Sequence, residues 1–128
     1  MSEAERSARS LRLRKAWLAC GYAFIALVIY LSLTPSPIQA PSIGGVKTGH
    51  LIAYAWLMLW FSQAYRGAGV RLAWAIGFVL LGISLEYAQG MTDYRTFAYS
   101  DMVDNAIGVL IGGALAWTPL GDVLQRYG

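Results

Sequence analysis

Residues 86–112 read EYAQGMTDYRTFAYSDMVDNAIGVLIG, and they concentrate acidic and amide side chains in an otherwise apolar sequence. The stretch joins the end of one apolar run to the beginning of the next through a short loop. Because side chains three or four residues apart share a helix face, Glu86 and Gln89 are predicted to lie on one face of the first run. The stretch therefore predicts a pair of helices whose polar residues meet near the turn.

The rest of the chain has the composition of a membrane protein. Its 128 residues are 57% hydrophobic and only 13% charged. A membrane-spanning helix needs about 20 mostly apolar residues, within a range of about 17–25. Runs of this kind occupy residues 16–34, 48–65, 72–89 and 102–120. They leave almost nothing for a separate soluble domain, so we expect a polytopic membrane protein of the all-α class.

The basic residues predict how the helices are oriented. Of the ten lysines and arginines, only Lys47 and Arg95 fall outside the N-terminus, the connection at 66–71 and the C-terminus. By the positive-inside rule, both termini and that connection are cytoplasmic. We therefore expect a compact bundle of four transmembrane helices. The predicted division is a basic cytoplasmic tail at 1–15, the transmembrane domain at 16–120 and a short cytoplasmic tail at 121–128.

This topology gathers polar residues that are far apart in sequence. The second run begins outside, the third ends outside and the fourth begins outside. The residues near these three ends are Lys47, His50, Tyr54, Glu86, Gln89, Arg95, Asp101, Asp104 and Asn105. Ionisable residues in a membrane span are costly, and by default they mark a function or a specific partner. We expect a shared polar site at the extracytoplasmic face.

Several of these residues also have a purely structural explanation. His50 can hydrogen-bond a neighbouring helix, and Glu86 can form an ion pair with Lys47 or Arg95. Asp101 suits the positive end of the dipole of the fourth helix. Cys20, the one cysteine, is interpreted as a small packing residue of the first run, with no disulfide partner in the chain.

The same residues resemble the VanZ-like family of small bacterial membrane proteins. The pattern is Lys47-x-x-His50-x-x-x-Tyr54, then Glu86-x-x-Gln89, Arg95 and Asp101-x-x-x-Asn105-x-x-Gly108-x-x-x-Gly112. Ser32-Leu33-Thr34-Pro35 at the end of the first run is similar too, whereas Val46 stands where the family often has an acid. The resemblance implies a location in the bacterial inner membrane, and the founding member of the family is associated with resistance to teicoplanin. The spacing of Gly108 and Gly112 independently predicts close packing of the fourth helix against a neighbour.

Two classes of function fit the pattern. In the first, the site binds an anionic or amphiphilic ligand of the cell envelope: a lipid headgroup, an isoprenoid-phosphate intermediate or a lipoglycopeptide. Lys47 and Arg95 would contact phosphate or carboxylate groups, since arginine binds such groups bidentately. Gln89, Asp101 and Asn105 would orient hydroxyl or amide groups, with Tyr54 and Asp104 in the same site.

The alternative is a membrane enzyme, a hydrolase or transferase acting on such a lipid. Glu86 and His50 would then form an acid–base pair, and the two basic residues would stabilise developing negative charge. A metal held by His50, Glu86 and an aspartate lacks the paired histidine or cysteine spacing of common sites. We expect membrane lipids as partners, no metal, no cofactor and no nucleic acid, and leave self-association open.

Overall fold

The computed structural model describes residues 2–34, 42–43, 46–92 and 99–127. Apart from one hairpin of two-residue strands, these residues are helical or in short turns, so the predicted helical class is confirmed. The elements are α1 (Glu3–Leu33), β1 (Ser42–Ile43), β2 (Val46–Lys47), α2 (Thr48–Ala64), α3 (Ala68–Gly90), α4 (Tyr99–Ala116), a 3-10 helix (Pro119–Asp122) and α5 (Val123–Tyr127). The strands are antiparallel, with Ser42 opposite Lys47 and Ile43 opposite Val46.

Local sequence signals explain where α1 begins and ends. Ser2 and Glu5 form a capping box, in which the Glu5 amide donates to Ser2 Oγ at 3.1 Å and the Ser2 amide donates to the Glu5 carboxylate at 3.1 Å. The helix therefore continues through the basic residues that the sequence assigns to a tail. It ends at Leu33, and Thr34 is extended, because the residue before a proline disfavours helical geometry.

The fourth helix differs from its predicted bounds. The apolar run at 102–120 predicts one helix, but α4 begins at Tyr99 and ends at Ala116. The chain then bends by 76° into the 3-10 helix and α5. Thr118 caps this second segment by accepting from the Leu120 amide at 3.2 Å, and Pro119 occupies its first turn. Residues 117–127, which we call the hook, thus lie across the end of the bundle.

Four hydrogen bonds define the two ends of the bundle. At one end, Gln89 of α3 bonds to Ser32 of α1, and His50 of α2 bonds to Asn105 of α4. At the other end, Arg14 of α1 donates to the carbonyl of the last residue of α2. Arg71 of α3 donates there to the carbonyl of the last residue of α4. The four helices therefore alternate in direction, as the sequence predicts.

The apolar core is built around α2. Its members are Tyr54, Leu57, Met58, Phe61, Phe78 and Val109, and the first four belong to α2. The other helix in closest association with α2 is α4. By contrast, α1 packs on the outside: its one buried residue among those described is Gly21. Much of the surface of α1 is therefore available to lipid.

Two tryptophans attach α1 to α2. The rings of Trp17 and Trp60 stack with their centroids 3.7 Å apart and 9° between their planes. Each indole N–H donates to the backbone carbonyl of the other tryptophan at 2.8 Å. The reciprocal bonds satisfy both indole donors within an apolar contact, where an unsatisfied donor would be costly.

The described helices include two or three candidate membrane spans. By length and composition, α1 and α3 can each cross a membrane, and α4 together with the hook gives a third candidate if the bent pair is counted as one span. The 17 residues of α2 measure about 26 Å, slightly less than a hydrocarbon core of about 30 Å. The structure thus supports a helical membrane protein.

Candidate functional site

Of the polar residues predicted to share a site, those whose side chains are described lie at one end of the bundle. We call this the polar end; it comprises His50, Tyr54, Glu86, Gln89, Asp101, Asp104 and Asn105. The end of α1, the start of α2, the end of α3 and the start of α4 meet here. Helices that are consecutive in sequence run in opposite directions, so α1 and α3 end here and α2 and α4 begin here. Residues separated by more than 50 positions thereby become adjacent.

Burial distinguishes the polar end from the polar residues of an ordinary protein surface. Glu86 is 2% exposed, and the other acids and amides of α3 and α4 at this end are 3–4% exposed. Isolated buried carboxylates are expensive, so they require hydrogen bonds or charge partners. Glu86, Asp101 and Asp104 each take part in such an interaction. Three acids are therefore held at one end of a bundle whose core is apolar.

His50 and Asn105 join α2 to α4. His50 Nδ1 lies 3.0 Å from Asn105 Oδ1. With Oδ1 facing the ring, Nδ1–H is the donor of this bond, because an amide oxygen only accepts. The Asn105 amide also fits against Gly82 of α3, where a Cβ would lie 2.9 Å from Nδ2. Asn105 thus contacts both helices that flank α4.

Gln89 and Tyr54 occupy the remaining interior of this end. Gln89 Nε2 donates to the Ser32 carbonyl at 2.6 Å, which satisfies an acceptor in the last turn of α1. Tyr54 is buried in the core, and the Glu86 carboxylate lies within electrostatic reach of its hydroxyl. Gln89 and Asn105 therefore connect helices, and their predicted contacts with a ligand stay predictions.

The two basic residues of the predicted site are not described at side-chain level. Arg95 lies outside the described residues, and only the backbone of Lys47 is described, in β2 directly before α2. Their predicted contacts with an anionic group stay predictions. The proposed acid–base pair of Glu86 and His50 also stays a prediction. Over the described residues, no group of three or more His, Cys, Asp or Glu side chains could hold a metal ion.

Gly108 and Gly112 lie where α4 crosses α2. A Cβ on Gly108 would meet the Leu51 carbonyl and lie 3.2 Å from the Ala55 amide nitrogen. A Cβ on Gly112 would meet the Ala55 carbonyl and lie 2.9 Å from Met58 Cβ. The two glycines bring the backbones of α4 and α2 together, and this close approach sets the position of Asn105 opposite His50.

The opposite end contains a second polar network that the sequence analysis missed. Arg71 is 3% exposed, and its guanidinium donates to three carbonyl oxygens, those of Tyr65 at 2.8 Å, Ser62 at 2.8 Å and Ala116 at 3.1 Å. Its guanidinium carbon also lies 4.4 Å from the ring centroid of Trp117. A single arginine thus closes the C-terminal ends of α2 and α4.

Gln63 and Arg66 fasten the hook to this network. Gln63 Nε2 donates to the Leu120 carbonyl at 2.6 Å, and its Oε1 accepts from the Leu124 amide at 3.2 Å. Arg66 forms an ion pair with Asp122 at 2.5 Å. Two features of the sequence could have indicated this network: a glutamine, Gln63, inside the apolar run at 48–65, and an arginine, Arg71, directly before the run at 72–89.

The comparisons with known proteins identify no relative. No family model matches the chain, and neither the curated proteins nor the solved structures contain a match. The functional argument therefore rests on the residues and geometry of the chain itself.

Proposed function

We propose that the chain is a VanZ-like protein of the bacterial inner membrane that binds an anionic or amphiphilic ligand of the cell envelope at its polar end. The observation that carries the proposal is the burial of Glu86, Asp101 and Asp104 together with two amides at one end of apolar helices. Polar side chains are rarely held in a membrane bundle without a function or a specific partner. Family membership rests on the residue pattern alone.

The proposal includes four membrane spans with both termini in the cytoplasm. At 17 and 18 residues, α2 and α4 lie near the lower limit of about 17–25 residues for a spanning helix. The orientation is supported by charge, because eight of the ten basic residues belong to the end that holds Arg71. The polar end then faces the extracytoplasmic side.

The proposed ligand chemistry follows from the charges that the sequence predicts beside the polar end. Lys47 and Arg95 would attract a phosphate or carboxylate group, while the buried carboxylates would accept hydrogen bonds from hydroxyl or amide groups. A lipid headgroup that carries both a phosphate and hydroxyl-bearing sugars satisfies both requirements. Isoprenoid-phosphate intermediates of cell-wall synthesis that carry a sugar have this character, and the family resemblance adds lipoglycopeptides such as teicoplanin.

Removal of either basic residue is expected to weaken ligand retention. We expect Lys47→Ala and Arg95→Ala each to lower the affinity for a polyprenyl phosphate about fivefold, since a surface cation contributes about 1 kcal/mol toward an anionic headgroup. Native mass spectrometry of the detergent-solubilised protein, titrated with the lipid at two salt concentrations, measures this change. The loss should shrink at high salt because exposed charges are screened.

Arg6→Ala is the matched control for these two variants. Arg6 is an exposed cation near the beginning of α1, remote from the polar end, and its removal changes net charge by the same amount. It should leave retention of the polyprenyl phosphate unchanged. Equal losses in all three variants, or no loss in any, would contradict specific binding at the polar end.

Glu86→Gln separates binding from catalysis. The substitution replaces the carboxyl group with an amide and preserves the shape of the side chain, so we expect retention of the polyprenyl phosphate to persist. Incubation of the wild-type protein and the variant with the lipid, followed by mass spectrometry of the lipid products, tests for turnover. If the wild-type protein converts the lipid and the Glu86→Gln variant does not, the enzyme alternative replaces the binding proposal.

A further inference from the structure

The hook has a fixed orientation relative to the helices. It leaves α4 at an angle of 76°, so it lies nearly in the membrane plane if α4 is close to the membrane normal. Gly121 packs so closely on the Ala116 carbonyl that no Cβ would fit between them. Gln63 bonds to the hook twice, and Arg66 pairs with Asp122. The angle is therefore set by contacts at several points.

The hook presents apolar side chains on its outer surface. Trp117 is 63% exposed and Leu120 is 52% exposed, whereas Leu124 is buried against the bundle. Tryptophan is enriched where membrane hydrocarbon meets the headgroups, because its ring is apolar and its N–H is polar. An in-plane segment with such residues can insert them into this boundary.

Basic side chains surround these apolar residues. Arg71 lies beside the Trp117 ring, Arg126 is exposed and donates to the Pro119 carbonyl, and Arg66 is 41% exposed. Carbonyl acceptors satisfy guanidinium donors without cancelling their charge. The only acid among residues 61–72 and 117–127 is Asp122. The hook and the connection it contacts therefore carry an excess of positive charge.

We propose that the hook is an interfacial anchor that binds anionic phospholipid headgroups of the leaflet at its end of the bundle. Trp117 and Leu120 insert at the boundary of the hydrocarbon, while Arg66 and Arg126 contact the headgroup phosphates. Asp122 competes with the lipid for Arg66. This surface is separate from the polar end, and it functions whether or not the polar end binds a ligand.

The test uses nanodiscs that contain phosphatidylglycerol and phosphatidylcholine. After extraction, native mass spectrometry counts the phosphatidylglycerol molecules that remain bound to the protein. We expect Arg126→Gln to lower this retention about fivefold, in line with the contribution of one surface cation. Asp122→Asn should raise it, because Arg66 then loses its competing partner.

Arg6→Gln serves as the matched control, since Arg6 precedes Arg14 by eight residues and so lies about 12 Å farther along α1 from the hook. A comparable loss in Arg6→Gln would show diffuse attraction to the basic end and overturn a specific site in the hook. Reduced retention in Asp122→Asn would also overturn the proposal. This test measures retention of phosphatidylglycerol, whereas the polar end is tested with a polyprenyl phosphate, so the two proposals fail separately.

Discussion

Replacement of Arg71 by methionine is expected to lower the free energy of unfolding by about 3–5 kcal/mol, since buried carbonyls that lose their donors cost about 1–3 kcal/mol each. Methionine retains an apolar stem of similar length, so the change removes mainly the guanidinium. The carbonyls of Ser62, Tyr65 and Ala116 lose the donor that they share. Denaturation in mixed micelles, followed by tryptophan fluorescence, measures the loss.

Arg66→Met is the matched control for this prediction. Arg66 is 41% exposed and contacts Asp122 and the Gly121 carbonyl at the surface. Exposed ion pairs contribute about 0–1 kcal/mol, so this variant should be close to the wild-type protein. Equal destabilisation of the two variants would contradict a special role for Arg71.

Arg71→Lys tests whether charge or geometry is responsible. Lysine preserves the charge, but its compact ammonium lacks the planar fork that reaches acceptors in three directions. We expect it to recover only part of the lost stability. Full recovery by lysine would show that positive charge near the helix ends suffices, and the three-carbonyl geometry would then be incidental.

Arg71 also illustrates what sequence reasoning could not resolve. In the sequence it is one of several basic residues at the end that is predicted to be cytoplasmic, and the positive-inside rule treats buried and exposed arginines alike. Its burial depends on where the ends of α2 and α4 meet, which is a property of the packed helices. The shared polar end was predictable, because alternating helix directions determine which ends coincide whatever the details of packing.

Individual partners at the polar end depend on finer geometry. A polar side chain inside an apolar bundle requires a hydrogen-bond partner, and in the structure His50 and Asn105 are partners of each other. The break after Ala116 is a different case. The run at 102–120 remains apolar through the break, so composition conceals it, although Pro119 disfavours helical geometry at Thr118.

Replacement of Gly112 by alanine is the second change with a large expected effect. The added Cβ would lie 2.9 Å from Met58 Cβ and still closer to the Ala55 carbonyl, so backbone atoms as well as side chains must move. We expect a loss of about 2 kcal/mol of unfolding free energy, within the range of about 1–3 kcal/mol for overpacked sites. Leucine at this position should lower the free energy of unfolding further, because its side chain is larger.

Gly113→Ala provides a control one residue away. A Cβ on Gly113 would lie 3.9 Å from Met58 Cγ, which is ordinary contact. Alanine favours helix over glycine by about 1 kcal/mol, so this variant should be as stable as the wild-type protein or more stable. If Gly112→Ala and Gly113→Ala unfold at the same denaturant concentration, the close approach of α4 to α2 does not limit stability.

The Gly112 variants also connect packing to the polar end. Displacement of α4 from α2 must move Asn105, which lies two helical turns from Gly112 and contacts His50 at 3.0 Å. We therefore expect Gly112→Leu to weaken polyprenyl phosphate binding at a temperature where the variant is still folded, while Gly113→Ala binds normally. Unchanged affinity in a folded Gly112→Leu variant would show that the ligand does not depend on the α2–α4 contact, and binding would then involve α3 and the outer loops.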